Sequence, residues 1–212
     1  MPYRTINQPF AQANPLKEDA SIKLPTPFGE LLMNLYLDPK TNKEHIALIK
    51  GNVAKTENIV VRVHSECLTG DLFGSKRCDC GPQLEHGLTS ISESTSGILI
   101  YLRQEGRGIG LLEKMRAYSL QDLGYDTVQA NELLGHKADA RDYEVAARIL
   151  KGLDVASIQL ITNNPEKVTD LSSRGIKVTA RLSSPIAVSL ENKKYLETKS
   201  QKLRHIFNLK QS

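Results

Sequence analysis

An α/β fold is what this sequence predicts: a mixed, largely parallel sheet flanked by helices, with a strand-rich N-terminal half. Three observations carry the prediction. Strand and helix patterns alternate through the second half of the 212 residues. Gly97-Ile98-Leu99-Ile100-Tyr101-Leu102 is a near-continuous apolar run, as a strand buried on both faces requires. Short runs with β-branched content crowd the stretch before it.

Residues 1–23 are polar and unpatterned, are interrupted by Pro2, Pro9 and Pro15, and read as a flexible N-terminal arm. Residues 24–212 read as a single domain, since no composition break divides them. After Gly29, Leu31, Met33, Leu35 and Leu37 alternate as in a strand, and residues 45–49 and 59–63 are further strand-like runs. Residues 67–79 form a loop with Gly70 and Gly74. A helix follows from Gly81-Pro82, because proline suits a first helical turn, with Leu84, Leu88 and Ile91 as its stripe. Residues 103–110 are a polar, glycine-punctuated loop. The next helix carries Leu111, Met115 and Tyr118 on one face and closes at Gly124. Tyr143, Ala146, Ala147, Leu150 and Leu153 mark another helix, and residues 158–161 a strand. Asn163-Asn164-Pro165 caps a short helix bearing Val168 and Leu171. Residues 176–180 return as a strand. Residues 191–207 read as a polar helix anchored by Tyr195, Leu196, Leu203 and Ile206.

Composition narrows the function classes. Hydrophobic residues at 40% and charged residues at 25% support a buried core and exclude disorder as the main state. No run approaches the roughly 18 apolar residues of a membrane span, and the N-terminus lacks a signal-type apolar stretch, so a cytoplasmic protein with no membrane partner is expected. The net charge of +4 suits an anionic small ligand as well as a nucleic acid. Aromatics at 5%, without Trp, and scattered Lys and Arg give little support to a zinc-stabilised nucleic-acid-binding module.

The sharpest signal is the cysteines. Cys67, Cys78 and Cys80 are the only three, an odd, clustered set unlike a disulfide framework. In a reducing compartment such a cluster reads as metal-binding or catalytic. Three thiolates suit zinc: an open site would make water reactive near neutral pH, whereas a closed structural site would need a fourth ligand, for which His64 and His86 are near in sequence. Unligated buried thiols are the third reading. The Cys-x-x-Cys pair of the nucleobase deaminases is absent.

Longer motifs surround the cysteines. Arg62-Val63-His64-Ser65-Glu66-Cys67-Leu68-Thr69-Gly70-Asp71 leads into Arg77-Cys78-Asp79-Cys80-Gly81-Pro82-Gln83-Leu84. Then come Arg103-Gln104-Glu105-Gly106-Arg107-Gly108-Ile109-Gly110-Leu111, Arg116-Ala117-Tyr118, Gly124-Tyr125-Asp126-Thr127, Asp139-x-Arg141-Asp142-Tyr143 and Thr162-Asn163-Asn164-Pro165-x-Lys167. In this order, over about residues 24–180, they closely resemble GTP cyclohydrolase II, the enzyme that begins riboflavin biosynthesis. Arg181-Leu182-Ser183-Ser184-Pro185 departs from the compact Arg-apolar-Pro-Leu turn of that family. At this length a second, fused synthase domain is not expected.

The resemblance implies GTP as substrate, loss of pyrophosphate, excision of C8 as formate, and a 2,5-diamino-6-ribosylamino-pyrimidinone 5′-phosphate product. It implies zinc at Cys67, Cys78 and Cys80, Mg2+ with the GTP phosphates, and a homodimer. It places Tyr118 near the zinc as proton donor or positioner, and Asp139 and Arg141 at the phosphoanhydride step. Arg62, Val63, His64, Ser65, Glu66, Gln83, Glu105, Gly106, Arg107, Thr127, Thr162 and Lys167 fall on nucleotide-binding positions. Arg141 matches a proposed nucleophile, but a guanidinium is a poor nucleophile while protonated, and a clamp on phosphate charge is the easier role. A paralogue that stops at a formamidopyrimidine nucleotide is the nearest alternative, and Tyr118 argues against it.

Overall fold

The computed structural model describes residues 15–137, 139–186, 188–202 and 206. Its strands are β1 (Ala20–Thr26), β2 (Gly29–Asp38), β3 (Lys43–Lys50), β4 (Ile59–Ser65), β5 (Gly97–Leu102), β6 (Ile158–Ile161) and β7 (Val178–Leu182). They make one mixed sheet in the order β1-β2-β3-β5-β4-β6-β7. β1, β2, β3 and β5 pair antiparallel, whereas β5, β4, β6 and β7 run parallel. The helices are α1 (Leu68–Asp71), α2 (Cys80–Glu93), α3 (Leu111–Asp122), α4 (Thr127–Leu133), α5 (Glu144–Gly152), α6 (Pro165–Ser173) and α7 (Lys193–Lys202), with a 3-10 turn at Glu105–Gly108. None is long and apolar enough to cross a membrane.

β5 is apolar throughout because both its faces are covered, and β4 carries valines on the face turned to the core. Val61, Val63, Ile98 and Ile100 turn one face toward Ala146, Ala147, Ile149 and Leu150 of α5, forming the main core. Each such side chain contributes roughly 1.5–3 kcal/mol on burial. The intervening residues, Arg62 and Leu99, face α2. Gly87 permits that approach: a Cβ there would stand 2.9 Å from Arg62 Cγ and 3.4 Å from Leu99 Cδ1. So the period of two along β4 sends valines to the core and Arg62 and His64 to the opposite side.

Several expectations need correction. The arm expected over residues 1–23 becomes β1 from Ala20, paired Ala20 to Leu35, and Leu16 packs against the main core; residues 1–14 lie outside the described residues. In β2 the residues buried toward its end are Asn34, Tyr36 and Asp38 rather than the alternating leucines, because these polar groups pair: Asn34 Nδ2 donates to Tyr36 Oη (3.3 Å), and Arg148 of α5 lies 3.5 Å from Asp38. On α3, Leu111 and Met115 are exposed, and Lys114 and Ala117 are buried instead. α4 was not expected; its signal is a capping box, with Asp126 accepting from Val128 N and Gln129 N and Gln129 returning a side-chain bond. The last helix runs over Lys193–Lys202, Ile206 is exposed, and Leu203 and Phe207 lie outside the described residues.

Candidate active site

The carboxyl ends of β4, β5 and β6 open onto one cleft of about 980 Å³, measured out to its mouth. Such edges of parallel sheets are where α/β folds bind ligands, because successive loops diverge there. β4 and the turn after it supply Arg62, Val63, His64, Ser65, Glu66 and Cys67; α2 and its approach supply Cys78, Cys80 and Gln83. Glu105, Gly106 and Arg107 follow β5, Tyr118 comes from α3, Thr127 from the start of α4, Arg141 from the loop before α5, Thr162 from the end of β6, and Lys167 from α6. Every site residue expected from the sequence therefore lines this cleft except Asp139, which stands behind Arg141 and lines the neighbouring cavity.

The three sulfurs lie within 4.8 Å of one another, and Cys67 Sγ is 3.6 Å from Cys78 Sγ. Two sulfurs each about 2.3 Å from a tetrahedral zinc would be about 3.8 Å apart, so the cluster fits that ion. Gly70 makes the space: a Cβ there would be 2.8 Å from Cys78 Sγ and 3.2 Å from Cys67 Sγ. Lys114 Nζ donates to Cys67 Sγ (3.1 Å). Hydrogen bonds from the sibling thiols, then the Lys114 ammonium, hold Cys67 far below the usual thiol range. Hydrogen bonding to Cys67 and burial push Cys80 up. Among the described residues no His, Asp or Glu joins the three sulfurs as a ligand-spaced group. His64 is committed elsewhere: Nε2 faces both oxygens of Asp71 at 3.0 Å, and Asp71 also accepts from Cys67 N and Tyr101 Oη, each at 2.9 Å.

Glu105 acts as a strut. It accepts from Leu68 N (2.6 Å), Gly106 N (2.7 Å) and Lys114 Nζ (2.8 Å), so it ties the loop after β5 to the turn holding Cys67. That loop is left-handed at Gly106, Arg107 and Gly108 (φ 62, 59 and 93°). For Arg107 the conformation costs about 1–2 kcal/mol. Gly108 is required by close approach, since a Cβ would meet Ala140 O at 3.0 Å.

Basic residues line the same cleft. Lys167 Nζ is buried and donates to Val63 O (2.8 Å); burial, then Arg62 and Arg141, press its ammonium well below the usual lysine range. Arg141 is gripped by Asp139, through Nε to both carboxylate oxygens (2.9 and 3.0 Å) and through Nη2. Burial works to raise the Asp139 carboxyl, but those bonds and the Arg141 charge hold it below the usual range. Arg62 Nε, His64 Nδ1 and Ser65 Oγ are buried without hydrogen-bond partners, leaving polar capacity in the cleft wall for a ligand. Burial also keeps the Tyr118 phenol protonated above its ordinary value.

Sequence reasoning missed Lys114, Asn131, Asn163, Asn164, Tyr195 and Lys199, which line the same cleft. The Ser184 departure proves to be part of the support, since Asn163 pairs with the backbone of Ser184 in both directions (2.7 and 3.0 Å).

Comparison with known proteins finds relatives of this chain. Riboflavin biosynthesis protein RibBA of Bacillus cereus is 53% identical over 191 residues, covering 90% of this chain and 48% of that protein. The RibBA of Bacillus cytotoxicus is 53% identical over 207 residues, covering 98% of this chain and 51% of its own. The chain thus spans about half the length of these relatives. A crystal structure of RibBX, a two-domain 3,4-dihydroxy-2-butanone 4-phosphate synthase from A. baumannii, aligns at a TM-score of 0.45 and 20% identity, over 82% of this chain and 41% of that one. The family model for GTP cyclohydrolase II matches residues 17–183, which hold every one of the cleft residues expected from the sequence, and the chain belongs to the GTP cyclohydrolase II family.

Proposed function

We propose that this chain is a zinc-dependent hydrolase of GTP. It opens the imidazole ring, releases C8 as formate and the β,γ-phosphates as pyrophosphate, and so begins riboflavin biosynthesis. One observation carries the reading: a three-sulfur cluster and a set of buried Arg and Lys side chains line a single cleft. C8 of guanine lies between two nitrogens, so opening the ring amounts to amidine hydrolysis. Zinc held by Cys67, Cys78 and Cys80 supplies Lewis acidity and a reactive water at neutral pH. Tyr118, kept protonated by burial, holds the proton that a departing ring nitrogen needs. Gln83, with His64, Ser65 and Glu66, contacts the nucleoside. Arg62, Arg107 and Lys167, with Thr127 and Thr162, receive the triphosphate, which brings Mg2+ with it.

Arg141 serves as a clamp on phosphate charge. Burial disfavours its charge, but Tyr143 and Asp139 outweigh that and raise its hold on the proton, so the guanidinium stays cationic. The same reading takes the sheet and its helices, from Leu16 through α7, as one catalytic domain in a cytoplasmic homodimer. Leu112, Met115, Leu123 and Leu133, exposed on and after α3 and on α4, offer an apolar face for the second copy.

The test is incubation with GTP and Mg2+, following formate, pyrophosphate and the pyrimidine chromophore together. All three should appear; a formamidopyrimidine nucleotide without formate would favour the paralogue reading. Cys78→Ser should abolish ring opening while some pyrophosphate release survives. Equal loss of both products would refute the division of labour between the sulfur cluster and the phosphate-binding residues.

A further inference from the structure

α7 lies beyond the stretch that the family model matches, yet it reaches into the cleft with Tyr195 and Lys199. Its inward side is unusual. A helix docked for packing alone buries an apolar stripe. Among the described side chains of α7 the buried ones are Leu196, Thr198 and Lys199, exposed by 0%, 8% and 5%, with Asn192 (3%) just before the helix. A lysine is rarely buried this far unless a partner holds it. Lys199 Nζ donates to Asp79 Oδ1 at 2.7 Å and stands 4.5 Å from the centre of the Tyr195 ring.

Asp79 is 1% exposed and lies between Cys78 and Cys80. Its second oxygen accepts from Gln83 Nε2, and Gln83 Oε1 in turn accepts from Arg62 Nη2 at 2.6 Å. Arg62 Nη1 is anchored on Ile161 O (3.2 Å). This chain of groups has one consistent direction. A carboxylate only accepts and a guanidinium only donates, so the Gln83 amide must turn its nitrogen to Asp79 and its oxygen to Arg62. One N–H and one lone pair of the amide then remain for a ligand. Lys199 gives the Asp79 carboxylate a fixed counter-charge in a buried place, and so keeps the acceptor that orients Gln83.

We propose that Lys199 is a positioning residue for the purine base: through Asp79 it sets the single orientation in which the Gln83 amide meets the substrate. The inference rests on the reading of the cleft as a GTP site and deepens it by adding α7 to the specificity apparatus.

The test compares GTP with inosine triphosphate, which lacks the 2-amino group, in the zinc-loaded full chain. Lys199→Met should raise the KM for GTP about tenfold and shrink the preference for GTP over the inosine nucleotide by a similar factor. kcat should change less, and zinc per chain should stay at the wild-type level. A helix-docking role alone would lower the thermal midpoint and leave the preference where it was. The sharper measurement is a double-mutant cycle. Gln83→Leu should lose the preference by itself, and adding Lys199→Met should take nothing further, because both act through one amide. Additive losses, or a Lys199→Met variant with wild-type KM and preference, would overturn the inference alone. A wild-type protein that turned over no GTP would overturn the proposed function and this inference with it. Should Lys199→Met fail to fold, the cycle is run with Lys199→Gln, and the same two outcomes decide.

Discussion

The two halves of the sheet bury polar groups in different ways. In the antiparallel ribbon of β1, β2 and β3 they are paired: Ser21 with Asn34, Asn34 with Tyr36, and Thr41 with Asp38 inside the ribbon, and His45 Nδ1 with Arg103 N just after β5. None of the buried side-chain atoms that lack a partner lies in those strands, and none of their residues lines the cleft. In the parallel half, Arg62, His64 and Ser65 each keep a buried polar atom unsatisfied at the carboxyl end of β4. An unsatisfied buried atom is destabilising by about 1–3 kcal/mol, so three on one strand end mark a place shaped for a ligand rather than for the fold. Parallel strands concentrate such groups because their ends all open on one edge, whereas antiparallel strands divide theirs between two.

The largest effect should come from matched glycines, one in each half. Gly70→Ala places a methyl group 2.8 Å from Cys78 Sγ and 3.0 Å from Cys80 Cβ, against a turn that cannot retreat. Zinc retention and formate release should both fall by about ten- to a hundredfold. Gly29→Ala, at the β1–β2 turn, meets no atom within 4 Å but must hold φ at +97°. It should lower stability by about 1 kcal/mol and leave zinc content and KM alone. Metal analysis and a urea titration of both variants read the difference. A Gly70→Ala protein with full zinc would break the link between this backbone position and the cluster.

How far the sequence carried the fold follows the same division. β5 was legible because burial on both faces leaves an unbroken apolar run, β6 by its three buried aliphatic residues, and Asn164-Pro165 announced α6 as an N-cap and first turn. β1 was not: it is an edge strand with its residues mostly exposed, so neither alternation nor an apolar run marks Ala20-Ser21-Ile22-Lys23. At the site, the cysteines and the glycine-punctuated motifs stood out because few other roles demand those residues at those spacings. Lys114 and Lys199 did not, since a lysine on a helix reads as a solvated face, and only the positions of Glu105 and Asp79 in space reverse that reading. The buried side of α7 gave no signal either, because Leu196 alone among Leu196, Thr198 and Lys199 is apolar, and one leucine does not make an apolar stripe.

A smaller effect is expected from Asp38→Ala in the ribbon. The carboxylate accepts from Thr41 Oγ1 (2.8 Å) and Lys40 N (3.3 Å) and lies 3.5 Å from Arg148 on α5. Its loss strips a buried charge pair and two hydrogen bonds, a destabilisation of about 3 kcal/mol. In a chain of this size that lowers the thermal midpoint by about 6–12 °C. Because no cleft residue leans on this corner, the KM for GTP should not move. A KM that rose with the loss of stability would mean that the two halves are coupled through α5.

The smallest effect tests a side-chain bond between the halves, from Arg103 N to His45 Nδ1 at 3.1 Å. His45 is 2% exposed on β3. Burial holds its pKa below the ordinary value of 6.5; Asp38 pulls the other way, and Lys43 and Arg103 add to the depression. The unfolded chain takes up this proton near pH 6.5 and the native protein does not. Stability is therefore complete above that pH and declines as the pH falls through it, until the native imidazole protonates too. Protonation at Nδ1 also removes the acceptor for Arg103, which leads into the loop carrying Glu105. His45→Gln keeps an acceptor without the titration, so between pH 8 and 5 its urea midpoint should fall less steeply. The difference in slope is at most one proton, about 1.4 kcal/mol per pH unit. A residual slope remains because burial also lowers His64 and His86. Parallel curves for wild type and variant would show that the proton is taken up elsewhere, and that the joint between ribbon and cleft is insensitive to pH.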